Sequence, residues 1–255
     1  LIDFCYLVNP YFPDEVFVSE CKAYFQSLIS QYPSGSAVQS LLASKLFNVE
    51  PNQIVVTNGA AETIKVLGKV FQGKFGILEP TFYEYIDAIG QDKVVRKLVS
   101  SEGFNYGIEP LLELADSVEN LVLINPDNPS GNFISKSEVL RLLDYLKEKN
   151  KNLILDESFI DFAEGGFEES LLTADIINNY PNLVLIKSIS KSYGVPGARL
   201  GVTVSSNTAL IRQIDQETSI WNINSFGEFF LQIIGKYISR YRISCEKIVA
   251  ERSRF

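Results

Sequence analysis

The chain reads as an α/β protein, a three-layer αβα sandwich around a mostly parallel sheet of seven strands. Three observations predict this. Short apolar, β-branched runs bounded by turn residues recur at 54–57, 75–78, 94–99, 121–124, 153–155, 183–186 and 200–204. Several are continuously hydrophobic instead of alternating, as strands buried on both faces are. Helical periodicities fill the gaps between most of them, which is the pattern of parallel crossover units.

In chain order, helices are expected over 38–47 and 62–71, then over 135–148, where Ser135 and Glu138 form a capping box, and over 206–217. From position 225 to 255 the pattern is one long helix, with Ile233, Ile234, Tyr237, Ile238 and Tyr241 on a stripe. The organisation expected is an N-terminal arm with a first helix (1–30), a large domain (31–224), and a helix leading into a small domain that is only begun (225–255). The sequence starts at Leu1 and contains no His and no Met, so it is expected to be a piece of a longer chain.

Composition excludes several classes. The 23 basic and 31 acidic residues leave a net charge of −8, which argues against a nucleic-acid partner, since that requires a basic surface to displace phosphate counterions. No apolar run reaches the roughly 18 residues of a membrane span, and no signal-peptide pattern opens the sequence. Cys5, Cys21 and Cys245 are odd in number and scattered, so they read as thiols of a reducing compartment, and a cytoplasmic protein is expected.

In sheets of this kind ligands bind beyond the carboxyl ends of the strands. The first strand ends in Thr57-Asn58-Gly59-Ala60-Ala61-Glu62-Thr63, where small residues let backbone N–H groups approach an anion at a helix N-terminus. The fourth ends in Asn125-Pro126-Asp127-Asn128-Pro129-Ser130-Gly131, a rigid turn that presents the Asn128 amide. The fifth runs into Asp156-Glu157, and a carboxylate at a buried strand end calls for a positive partner such as a protonated ring nitrogen. The sixth runs into Lys187-Ser188-Ile189-Ser190-Lys191, followed by Arg199. A desolvated lysine there is a candidate Schiff-base nucleophile, and Ser188, Ser190 and Arg199 are donors suited to a phosphate. Taken singly, each segment is equally an ordinary tight turn or a solvated loop. Their occurrence together, in order, at consecutive strand ends is what points to a site.

The series Gly59-Ala60-Ala61-Glu62, Pro80-Thr81-Phe82-Tyr83, Asn128-Pro129-Ser130-Gly131, Asp156-Glu157 and Ser190-Lys191, with Arg199 eight residues on, resembles the fold-type I pyridoxal-phosphate enzymes. Val8-Asn9-Pro10-Tyr11, Gln31-Tyr32-Pro33 and Trp221-Asn222-Ile223-Asn224 resemble in particular the class I/II aminotransferase branch of histidinol-phosphate aminotransferase and threonine-phosphate decarboxylase. The resemblance covers essentially the whole chain. It implies pyridoxal 5'-phosphate as cofactor, bonded to Lys191, with Asp156 on the ring nitrogen, Asn128 on the ring oxygen and Phe82 on the ring face. It also implies a phosphate held by Gly59, Ala60, Ala61, Ser188, Ser190 and Arg199, and a homodimer in which Tyr32 reaches the neighbouring subunit's phosphate.

Two departures stand out. Phe159 occupies the place where the family's aminotransferases usually carry a tyrosine, and the substrate-carboxylate arginine of the family belongs to the small domain. The activity expected is transamination of an amino acid or phosphorylated amino compound, with removal of its α-proton by Lys191. The alternatives are a decarboxylase of a phosphorylated amino acid and a non-catalytic module of a fused chain, and the intact Lys191, Asp156, Asn128 and Arg199 argue against the latter.

Overall fold

The computed structural model describes residues 7–99 and 102–254, so Cys5 lies outside the described residues. Two helices open the chain, α1 (Glu15–Ser30) and α2 (Ser36–Phe47), followed by β1 (Ile54–Asn58) and α3 (Ala60–Val70). Next come β2 (Phe75–Glu79), α4 (Glu84–Ile89), β3 (Val94–Leu98), α5 (Glu109–Ala115), β4 (Asn120–Ile124) and α6 (Lys136–Glu148). The chain continues through β5 (Asn152–Asp156), α7 (Ala174–Asn179), β6 (Leu183–Ser188), the single turn α8 (Ile189–Ser192) and β7 (Leu200–Val204). It closes with α9 (Thr208–Glu217), α10 (Ser225–Ile233) and α11 (Ile238–Arg252).

One seven-stranded sheet runs in the order β1-β7-β6-β5-β4-β2-β3. Only β7 is antiparallel to its neighbours, β1 and β6. The carboxyl ends of β1, β2, β4, β5 and β6 therefore share one edge with the amino end of β7. That edge collects Gly59, Pro80, Asn125, Asp156, Ser188 and Arg199 from segments far apart in sequence.

The continuous apolar runs are explained by two cores. Leu121, Leu123, Leu153, Leu155, Leu183 and Leu185 face one side of the sheet, while Val122, Ile124, Ile154, Val184 and Ile186 face the other. Adjacent strand residues point to opposite faces, so a strand buried twice must be apolar throughout.

The expected long C-terminal helix is instead broken. Asn224 caps α10 by accepting a hydrogen bond from the Gly227 N–H at 2.9 Å, and a 3-10 turn over Ile234–Tyr237 separates α10 from α11. The tighter turn places Ile234 and Tyr237 on one side, both buried, and Tyr237 packs edge-on against Phe17 of α1 at 5.1 Å. Gly235, a poor helix former, sits at the break. Helix α1 therefore shares an aromatic cluster with the broken C-terminal segment, joined also by Phe17 and Phe230 of α10 at 5.6 Å. Helix α3 begins at Ala60, two residues before the expected start, which sets its N-terminus directly on the Gly59 turn. Among the described residues no helix is long and apolar enough to cross a membrane, and Cys21 and Cys245 are free thiols.

Candidate active site

A cleft of about 410 Å³ opens at the shared strand edge. Gly59, Ala60, Ala61, Phe82, Asn128, Asp156, Ser188, Ser190, Lys191 and Arg199 all line it. The structure thus brings together every residue assigned to the site from sequence except Tyr32. That side chain is 78% exposed and stacks on Trp221 at 4.5 Å, in a separate depression beside Asn58 and Asn222.

One end of the cleft is built for an anion. Gly59 caps α3 with φ +73° and no side-chain hydrogen bond, so the first backbone N–H groups of α3 face the cleft without a capping acceptor. A Cβ on Gly59 would lie 2.8 Å from Nη2 of Arg199, and only glycine lets the guanidinium sit this close to the helix end. Arg199 itself adopts φ +54°, a strained left-handed conformation for a residue with a side chain. Among the described residues no carboxylate lies within ion-pair distance of its guanidinium.

The floor is Asp156, only 5% exposed. Its Oδ1 accepts from the Ser158 N–H at 2.9 Å and its Oδ2 accepts from the Tyr85 hydroxyl at 2.7 Å. Both donors are neutral, so the buried carboxylate has no cation against it among the described residues.

Lys191 completes the site from α8. Its Nζ lies 5.3 Å from the ring centre of Phe82 and 4.9 Å from that of Phe159. Burial between these rings pushes its pKa below the ordinary lysine value, and the Arg199 charge lowers it further, while Asp156 opposes both. The turn is held by its backbone: the Lys191 carbonyl accepts from the Asn9 N–H at 3.1 Å, and Ser190 Oγ accepts from the Leu200 N–H at 2.6 Å. Ser188 N–H donates to Ser158 Oγ at 3.1 Å, tying β6 to the end of β5. The Asn128 turn is fixed by Asn125, whose side chain exchanges two hydrogen bonds with the Ile134 backbone at 2.8 and 2.9 Å.

The competing lysine, Lys187, is elsewhere. It points to the opposite face of the sheet, where its Nζ donates to Asp161 Oδ1 at 2.8 Å, and Asp161 also accepts from the Tyr241 hydroxyl at 2.5 Å. Sequence reasoning missed Tyr85 and Ser158, the two donors to Asp156, and the wall formed by Leu7, Val8 and Pro196. Ser158, two residues after Asp156, carried the signal of a local Asp turn, whereas nothing in sequence marks Tyr85.

A cradle of helix N–H groups and Arg199, a buried carboxylate without a cation among the described residues, and a lysine of lowered pKa meet in one cleft of an α/β sheet. The chain belongs to the aminotransferase class I and II family, whose model matches residues 14–232. Among curated relatives, it is 30% identical to the L-serine phosphate decarboxylase of Sulfurospirillum multivorans, covering 100% of this chain and 68% of the relative. It is also 30% identical to the CMP-5'-(3-aminopropyl)phosphonate synthase of Streptomyces rubellomurinus, covering 96% of this chain but 39% of that protein. Among solved structures, the histidinol-phosphate aminotransferase of Clostridium acetobutylicum superposes with a TM-score of 0.83 at 26% identity, covering 100% of this chain and 75% of that one. The chain thus spans between 39 and 68% of the length of these curated relatives.

The family's cofactor is pyridoxal 5'-phosphate. The residues present fit it: the α3 end and the unpaired Arg199 match a phosphate, Asp156 lacks the cation that a pyridinium nitrogen would provide, and Lys191 is the depressed amine.

Proposed function

We propose that this chain is the cofactor-binding part of a pyridoxal-phosphate enzyme that breaks a bond at the α-carbon of an amino acid bearing a phosphate or phosphonate group. The observation that carries the reading is the convergence of Lys191, Asp156 and the Gly59–Arg199 cradle in one cleft. When bound, the cofactor supplies an electron-accepting ring.

Arg199, the α3 N–H groups and the Ser188 and Ser190 hydroxyls would hold its phosphate, and Phe82 would cover its ring. Asp156 would keep the ring nitrogen protonated, because a buried carboxylate favours a cation beside it. Asn128 would donate to the ring oxygen alone, because Phe159 carries no hydroxyl. Lys191 would be the amine that holds the cofactor and, once free, the group that moves a proton at the substrate Cα. Burial lowers its pKa, which favours the free amine over the ammonium, and its Nζ lies near two phenyl rings in the cleft that Leu7 and Val8 also line.

Sequence alone favours transamination. Two observations favour decarboxylation: Phe159 at 4.9 Å from the Lys191 Nζ, where the aminotransferases of the family carry a tyrosine, and the relative named for serine phosphate. The phosphorylated substrate class is supported by the relatives' names, each of which contains a phosphate or phosphonate. A homodimer in the cytoplasm completes the reading. The exposed Ile29, Tyr32, Ile220 and Trp221 are the surface on which a second copy would bury Tyr32.

Incubation with pyridoxal phosphate and O-phospho-L-serine separates the reactions. Release of carbon dioxide with a phosphorylated amine supports decarboxylation, and a keto acid formed in the presence of an acceptor supports transamination. Failure of the protein to bind the cofactor refutes both.

A further inference from the structure

Resting on that reading of the cleft, we infer that Tyr85 is a positioning residue of the reaction. Its hydroxyl orients the Asp156 carboxylate toward the cofactor's ring nitrogen and leaves its negative charge undivided. Tyr85 lies on α4, three residues after Phe82 in the turn that leads into it, so one short stretch of chain supplies an aromatic ring to the cleft and a phenol to the carboxylate beneath it. The ring is fully buried in the core on that face of the sheet, and the phenol gives its single hydrogen to Oδ2 of Asp156 at 2.7 Å. The Ser158 N–H fixes the other oxygen at 2.9 Å, so the carboxylate plane is set from two sides.

The chemistry of these donors matters. A lysine or arginine in either place would form an ion pair with Asp156 and cancel the charge meant for the ring. Two neutral donors restrict rotation and leave the charge available to one external cation. The phenol also stays a donor across the working range, because burial and the adjacent Asp156 charge both push its pKa well above the ordinary tyrosine value. If Tyr85 only filled the core, Phe would serve as well, since the hydroxyl contributes no packing that the ring lacks.

The test compares equilibrium binding of pyridoxal phosphate and of its 1-deaza analogue, in which a C–H replaces the ring nitrogen. Wild-type protein, Tyr85→Phe and Asp156→Asn are titrated with each. Wild type is expected to prefer the natural cofactor. Tyr85→Phe should lose roughly 10- to 100-fold of that affinity, the range for a hydrogen bond to a charged group, while its affinity for the analogue stays unchanged.

Equal loss for both ligands, or loss for neither, overturns the role of Tyr85 while the reading of Asp156 stands. A wild-type protein that binds both ligands equally overturns the reading of Asp156 and this inference with it. Circular dichroism of the cofactor-free variants checks folding. Should Tyr85→Phe not fold, 3-fluorotyrosine at position 85, a stronger donor of nearly the same volume, should increase the preference for the natural cofactor. An unchanged preference overturns the proposal.

Discussion

The two faces of the sheet at the ends of β5 and β6 carry the same residue types to different ends. On one face stand Asp156 and Lys191, on the other Glu157, Asp161 and Lys187. The second set is satisfied internally: Lys187 pairs with Asp161 at 2.8 Å, and Glu157 accepts from the Leu171 N–H at 2.8 Å and the Ser170 hydroxyl at 2.5 Å. The first set has no ion pair among the described residues and opens on a cleft. A buried charge that is paired tells how the core is held together, whereas one left with neutral donors, facing space, tells what is to be bound.

The sharpest break between the faces is covalent. Lys191→Ala should abolish the borohydride-reducible bond to the cofactor and the visible absorption of the bound cofactor, while Lys187→Ala should retain both. Peptide mapping after reduction decides, and cofactor found on Lys187 would reverse the assignment. Asp156→Asn should leave the fold intact and lower turnover by several orders of magnitude, because a neutral amide does not hold the ring nitrogen protonated. Near-wild-type turnover would remove Asp156 from its role.

The opposite face should respond in stability instead. Lys187→Met leaves Asp161 buried without its cation and is expected to cost about 3–5 kcal/mol in denaturant unfolding. A loss below about 1 kcal/mol, the range of an exposed pair, would show that Asp161 finds another partner.

Glu157 gives a smaller, pH-dependent effect. Burial raises its pKa to about 7 from 4.5, and the Leu171 N–H, the Ser170 hydroxyl and the Lys187 charge offset this only in part. The folded state therefore holds a proton that the unfolded chain releases, so this stabilising contribution is full below pH 4.5 and is lost as pH rises through about 7. Glu157→Gln, which stays neutral, should melt progressively higher than wild type, by a few degrees, as pH goes from 5 to 8. A pH-independent difference would mean that the carboxyl is ionised throughout. The smallest effect is expected for Phe159→Tyr, which should be tolerated because Phe159 is only partly buried beside the cleft. A large fall in melting temperature would show that the position is sealed and apolar.

Much of this was legible along the chain, for a physical reason. Strands buried on both faces must be apolar, so six of the seven stand out as runs, whereas the edge strand β3 is part-exposed and carries Arg96 and Lys97; the residues at the strand ends are ordered by chain connectivity. Gly59, Asn128, Asp156 and Lys191 were readable because small, turn-forming or charged residues interrupt those runs.

What the sequence left open was orientation. Lys187 and Lys191 differ by four positions, and both lie in a segment of Ser and Ile. Only the pleat of β6 turns the first into the Asp161 core, and only the α8 turn lifts the second into the cleft. Local patterning also ran the last helix straight through Gly235, where a 3-10 turn buries Ile234 and Tyr237 and sets Tyr237 against Phe17 of α1. The side-chain partner of Asp156 is 71 residues away on a helix of six, and that of Lys187 is 26 residues away in a 3-10 turn over Ile160–Phe162. Composition and periodicity determine which residues are buried and where strands end. Which buried polar groups meet is decided by sheet order and by the packing of helices across it, because hydrogen bonds form between neighbours in space, and chain separation does not encode that distance.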